Sequence, residues 1–191
     1  MSQASAAVRS NIDYLVPTSR INRRFWAPGR ELNTGIYAPY PVTIRNARLG
    51  GPFTLDELGF CLAQHYTAIS DWENQYVPDS AYAAEVAEVA KRLTGADTVI
   101  PLGGMMRDSA ATSPTVQPPA AEAHVDFTER CAERRAAALY HKAHPEGSGY
   151  SRFIGFSLWR ALSPPPQDMP LALCGVARCA MTKARTTPRS M

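Results

Sequence analysis

An imidazole and a carboxylate two positions apart, in His124-Val125-Asp126, are the side chains of this chain best placed to do chemistry. The surrounding AHVDF (123–127) reads as a short strand, and on a strand the side chains at i and i+2 point to one face. Both groups can then grip one metal ion from a single edge. Two histidines and one carboxylate around iron(II) leave three coordination positions open, which a cosubstrate and dioxygen both need. As a bare pattern of three residues, HxD arises often by chance, and a solvated His and Asp near a strand end is the commoner explanation.

The other histidines are His65, His141 and His144. His65 falls on an expected helix, where a packed or hydrogen-bonded role is more usual than metal binding. His141 and His144 stand at i, i+3 near a helix end and fit a solvated pair better than a ligand pair. Cys61, Cys131, Cys174 and Cys179 match neither a zinc knuckle nor a compact disulfide framework, since even the nearest two are five apart. They read as free thiols packed as small apolar groups.

The elements that must position these residues follow from local signals. The first forty residues are punctuated by Pro17, Pro28, Gly29, Gly35 and Pro39, with aromatic residues between them, and read as an irregular arm lying over a body. VTIRNAR (42–48) alternates as a half-buried strand does. Thr54 and Glu57 form a capping box, and Leu55, Leu58, Leu62 and Ile69 mark the face of the helix expected after it. Tyr82, Val86, Val89 and Leu93 recur at helical spacing over 81–93, with Gly95 at the C-cap position. Strands are expected at 97–102, 123–127, 152–159 and 171–176. A loop is expected at 108–121, and a third helix, capped by Thr128, over 129–140. Strands and helices follow one another without βαβ regularity, which favours an α+β fold with a mainly antiparallel sheet.

Composition sets the outer limits. The 191 residues suit one domain with room for a core, and 45% apolar with 19% charged residues is ordinary globular usage. A net charge of +3, with much of the excess at Arg178, Lys183, Arg185 and Arg189, is too small and too terminal for nucleic-acid binding. Apolar runs such as Leu171–Cys174 fall far short of a membrane span. MSQASAAVRSNIDYL has no apolar signal core, so a cytoplasmic protein is the expectation. A small-molecule substrate is the partner this leaves, and the oligomeric state is not readable.

Four stretches together carry a resemblance. They are GPFTLDELGFCLAQHYTAISDWEN (51–74), YAAEVAEVAKRLTGADTVIPLGGMMR (82–107), HVDFT (124–128) and RFIGFSLWRALSPPPQDMPLALC (152–174). In order and spacing, over about residues 40–175, the chain resembles the AsaB, NvfI and CmcJ-like family of fungal and bacterial oxidoreductases, which includes gibberellin-desaturase-like proteins. The resemblance implies a double-stranded β-helix (cupin-like) core with flanking N-terminal helices. It also implies iron(II) held by His124, Asp126 and a second histidine from a late strand, and 2-oxoglutarate as cosubstrate. The implied chemistry is hydroxylation or desaturation of a small, secondary metabolite. The family has arginines at positions matching Arg107 and Arg160, and both are candidates for binding the cosubstrate carboxylate. Pairing with a nearby acid is the commoner role for such residues. Trp159 reads as core rather than as a substrate wall.

The sequence departs from the family pattern at Leu102–Met106, where a His before Arg107 is usual, at Ser157 for Asn, and at Ala161 for Pro. After Cys174 the family continues with a second iron histidine and a keto-acid-binding arginine, whereas here GVARCAMTKARTTPRSM carries no histidine. The expected organisation is thus an arm at 1–40, an incomplete oxygenase domain at 41–176 and a disordered tail at 177–191. The rival expectation is a catalytically inactive, truncated member of the family. A methyltransferase is excluded, because Gly103-Gly104 runs into methionines and no GxGxxG follows a strand.

Overall fold

The computed structural model describes residues 6–27, 30–111, 116–147 and 149–175. Helices and antiparallel strands coexist, so the chain is α+β. The strands are β1 (Ala7–Leu15), β2 (Arg24–Ala27), β3 (Arg30–Asn33) and β4 (Tyr37–Arg45). A short 3-10 turn follows at Ala47–Leu49, then helices α1 (Leu55–Leu58), α2 (Ala81–Thr94) and α3 (Glu129–Ala143).

The N-terminal segment, expected to be irregular, is in fact where the sheet lies. β1 and β4 pair antiparallel along their whole length, from Ala7 opposite Arg45 to Leu15 opposite Tyr37. β2 and β3, which fall between them in sequence, pair antiparallel as a separate two-stranded sheet, with Arg24 opposite Asn33. Proline was the misleading signal. Asn46 N–H donates to Ala6 at 2.9 Å and Val16 N–H to Ile36 at 2.9 Å, so the even-numbered residues of β4 exchange the ladder hydrogen bonds with β1. Pro39 and Pro41 take the alternate positions, whose nitrogens face away from β1 and are not needed by the ladder. By the same alternation Asp13, opposite Pro39, turns its own backbone to the free edge of β1. There its carbonyl accepts Ala123 N–H at 2.8 Å, and Asp13 and Glu122 form an isolated parallel bridge.

The capping box at Thr54 forms, with Thr54 Oγ1 accepting Glu57 N–H at 3.3 Å and donating to the Glu57 carboxylate at 3.1 Å. The helix it starts is far shorter than the Leu62 and Ile69 periodicity suggests. Gly59 takes the left-handed conformation at φ 76°, donates its N–H to Leu55 and ends α1 after one turn. His65 therefore lies outside any helix. α2 matches its expectation closely, from Ser80, whose Oγ accepts Ala83 N–H at 3.1 Å, to Gly95 at φ 68°. α3 begins after Thr128 as expected, without a side-chain cap bond, and runs to Ala143.

The strands expected at 97–102, 123–127, 152–159 and 171–175 have no ladder among the described residues, and residue 176 lies outside them. A strand exists only through its partner, and β1–β4 and β2–β3 are the only ladders among the described residues. The 97–102 segment is instead stopped by a close backbone approach. Gly104 N–H donates to Tyr76 at 2.8 Å, and a Cβ on Gly103, at φ 86°, would meet that same carbonyl at 2.6 Å.

Buried apolar side chains among the described residues are Ala83, Val89 and Ala90, all on α2. Trp159, expected in the core, is 47% exposed. Cys61, Cys131 and Cys174 are free thiols, but Cys131 and Cys174 are exposed rather than packed, and Cys179 lies outside the described residues. The expected tail and residues 112–115 of the 108–121 loop also lie outside them. No helix among the described residues is long and apolar enough to cross a membrane.

Candidate metal centre

The segment bearing His124 and Asp126 leaves β1 immediately after the Asp13 contact. Glu122 anchors its start. The Glu122 carboxylate meets Arg24 of β2 at 3.4 Å and accepts from Asn33 of β3 at 3.4 Å. Its carbonyl oxygen then lies 2.9 Å from Nδ1 of His124. A carbonyl can only accept, so Nδ1 is the donor in this contact. Nε2 faces Oδ1 of Asp126 at 3.7 Å, too long for a hydrogen bond between them.

The segment is not a strand, so the i, i+2 alternation does not apply, but the two side chains still approach one another at 3.7 Å. With bonds of about 2.1 Å to each group, one ion could reach both across 3.7 Å at an angle of about 124°, and the cis arrangement of a facial triad would need them to close to about 3.0 Å. The donors are chemically apt: a neutral imidazole with its second nitrogen fixed on a carbonyl is the usual form of a metal-bound histidine. Both side chains are about half exposed, which leaves room for further ligands. No group of three His, Cys, Asp or Glu side chains able to hold a metal occurs among the described residues. His141 is exposed, and His144 packs its ring on Tyr140 with centroids 4.8 Å apart.

The two candidate arginines are used differently. Arg107 donates through Nη1 to Gln117 Oε1 at 2.9 Å and to the Pro118 carbonyl at 3.1 Å, bracing the 108–121 loop. Arg160 is engaged at all three nitrogens. Nε donates to Tyr82 Oη at 3.1 Å, Nη1 to the His65 carbonyl at 3.1 Å, and Nη2 lies 2.7 Å from His65 Nδ1. Glu85 completes this cluster, 3.8 Å from Arg160 and 3.5 Å from His65, and accepts Thr67 Oγ1 and Ala68 N–H at 3.0 Å each. His65 is therefore hydrogen-bonded, as expected, though in a loop. Glu85 went unnoticed in the sequence. Its one legible signal was an acid at i+3 from Tyr82 and i−4 from Val89, on the apolar stripe of α2.

The fold combines helices with antiparallel strands, and an irregular segment bridged to β1 presents an imidazole–carboxylate pair. The chain belongs to the family described as the oxidoreductase/YMDC permease-like domain, whose profile matches residues 12–188. It is 29% identical over 155 residues to the hydroxylase/desaturase efuI of Hormonema carpetanum, covering 73% of this chain and 52% of that protein. It is 31% identical over 155 residues to the Fe(II)/2-oxoglutarate-dependent dioxygenase nvfI of Aspergillus novofumigatus, strain IBT 16806, covering 76% and 54%. The chain thus spans about half the length of these relatives. No solved structure matches it.

Proposed function

We propose that the protein belongs to an iron(II), 2-oxoglutarate-dependent oxidoreductase system that hydroxylates or desaturates a small, secondary metabolite. The observation that carries this reading is the approach of Nε2 of His124 to Oδ1 of Asp126 at 3.7 Å, with Nδ1 turned to the Glu122 carbonyl. Bound iron would supply the coupling of dioxygen to oxidative decarboxylation of the keto acid and oxidation of the substrate. His124 and Asp126 would hold it, and their exposed outer side leaves the remaining positions accessible. Of the two arginines, Arg107 is the one we assign to the cosubstrate carboxylate, because among the described residues it uses Nη1 alone. Arg160 is committed within the chain. The double-stranded β-helix implied by the family resemblance belongs to the same proposal and rests on the four quoted stretches, since the ladders among the described residues are β1–β4 and β2–β3.

Anaerobic calorimetric titration with Fe(II), on the chain and on His124→Ala, tests the site. Loss of one of two protein ligands is expected to weaken binding at least about tenfold; equal affinities would remove the site. A second reading, a catalytically silent family member, is favoured by one separate observation: no third donor stands beside the pair among the described residues. Fe(II) binding that depends on His124 without consumption of 2-oxoglutarate selects that second reading.

A further inference from the structure

We infer that Glu122 is the positioning residue of the candidate metal centre, setting which nitrogen of His124 is presented beside Asp126. The inference rests on the reading of His124 and Asp126 as metal ligands. In water a neutral imidazole prefers the proton on Nε2, which would block the very nitrogen that faces Asp126. Here the Glu122 carbonyl accepts a hydrogen bond from Nδ1–H at 2.9 Å, which favours the opposite tautomer. A backbone carbonyl can do this only if its peptide is held in place, and Glu122 is held from three directions.

Its carboxylate Oε1 sits 3.4 Å from Arg24 on β2 and 3.4 Å from Asn33 on β3. Its backbone bridges Asp13 of β1, whose carbonyl accepts the next N–H, that of Ala123, at 2.8 Å. The Glu122 side chain is mostly buried while those of His124 and Asp126 are half exposed, so the fixed point lies before the ligands, not at them. The β2–β3 pair thereby acquires a purpose: it carries the two side chains that clamp Glu122. Outer partners that orient a metal-binding histidine are commonly worth ten- to hundredfold in metal affinity.

The test compares the full chain with Glu122→Ala and Glu122→Gln at a pH where imidazole is neutral. Two readouts are used: the ¹⁵N signature of the His124 tautomer without metal, assigned against His124→Ala, and the affinity for Co(II). The chain should show His124 protonated at Nδ1. Glu122→Ala should shift it toward Nε2 and weaken Co(II) about tenfold. Glu122→Gln keeps an oxygen that accepts from Arg24 and Asn33, and should retain the tautomer with affinity within about threefold. Should Glu122→Ala lose its amide spectrum, Arg24→Ala, which removes one clamp from outside the segment, serves in its place with the same expected shift. An unchanged tautomer in a folded Glu122→Ala overturns the inference, even if metal binds through His124. A tautomer that shifts as expected in a chain binding no metal overturns the metal reading and leaves the role of Glu122 standing.

Discussion

Arg160 joins parts of the chain far apart in sequence. A guanidinium does not give up its proton, so the 2.7 Å contact to Nδ1 makes His65 an acceptor there. Glu85 Oε1 is buried without a hydrogen bond and balances the charge of Arg160 from 3.8 Å. Burial pushes the Glu85 carboxyl up, but the Ala68 N–H, the Thr67 hydroxyl and the charge of Arg160 leave it below the usual carboxylate value. A carboxylate lowered by folding stabilises the native state above its unfolded value, and that contribution is lost as pH falls through the lowered one. Glu85→Ala should therefore cost about 1.5–3 kcal/mol near neutral pH, the worth of hydrogen bonds to a charged group. Urea unfolding of both chains at neutral pH and in acid checks this. The gap between them should close on acidification, and a gap that stays constant would show that the ionised carboxylate is not what stabilises the cluster.

At the scale of elements, what was legible in the sequence was whatever is decided within one turn. Ser80 and Gly95 bound α2 as a sequence-local rule dictates, and the capping box of Thr54 forms. Ser80→Ala removes the acceptor for Ala83 N–H and should cost about 1 kcal/mol. Gly95→Ala should cost about 1–2 kcal/mol, because a Cβ there meets no atom within 4 Å and only the left-handed φ of 68° opposes it. Thermal unfolding of the two variants checks both, and a neutral Gly95→Ala would mean that α2 ends elsewhere. What was not legible is what one residue or a distant partner decides. Gly59 at φ 76° stops α1 although Leu62 and Ile69 keep its period. The alternation in RFIGFSLW predicts a strand but cannot supply the neighbour that would make it one. The prolines of β4 obscured the longest strand pair because their harm depends on which edge they face. The candidate site divides in the same way. The i, i+2 spacing marked His124 and Asp126, whereas the roles of Glu122 and Glu85 depend on contacts across 89 and 17–18 residues of sequence, respectively.

Across the molecule as a whole, the buried apolar side chains among the described residues are few and small, Ala83, Val89 and Ala90, while many large ones stay more than a third exposed. One stretch holds several of them: Phe153, Ile154, Phe156, Leu158 and Trp159 are each more than a third exposed, followed by Leu171 and Leu173. Exposed apolar side chains spaced this closely in sequence favour association, and a segment with no ladder partner among the described residues offers its backbone as well. The purified chain should therefore bind a hydrophobic dye such as ANS and sediment as larger species when concentrated. Ile154→Lys together with Phe156→Lys places two charges within that stretch, at side chains 48% and 46% exposed. Since neither is buried, the double variant should keep the thermal midpoint within about 0.5 kcal/mol of stability. Its dye fluorescence and its concentration-dependent sedimentation should both fall. If the chain sediments as a compact monomer with no dye signal, these side chains are covered in solution and the segment has found its partner strands within the same molecule. If instead the double variant unfolds, the stretch is already part of a core.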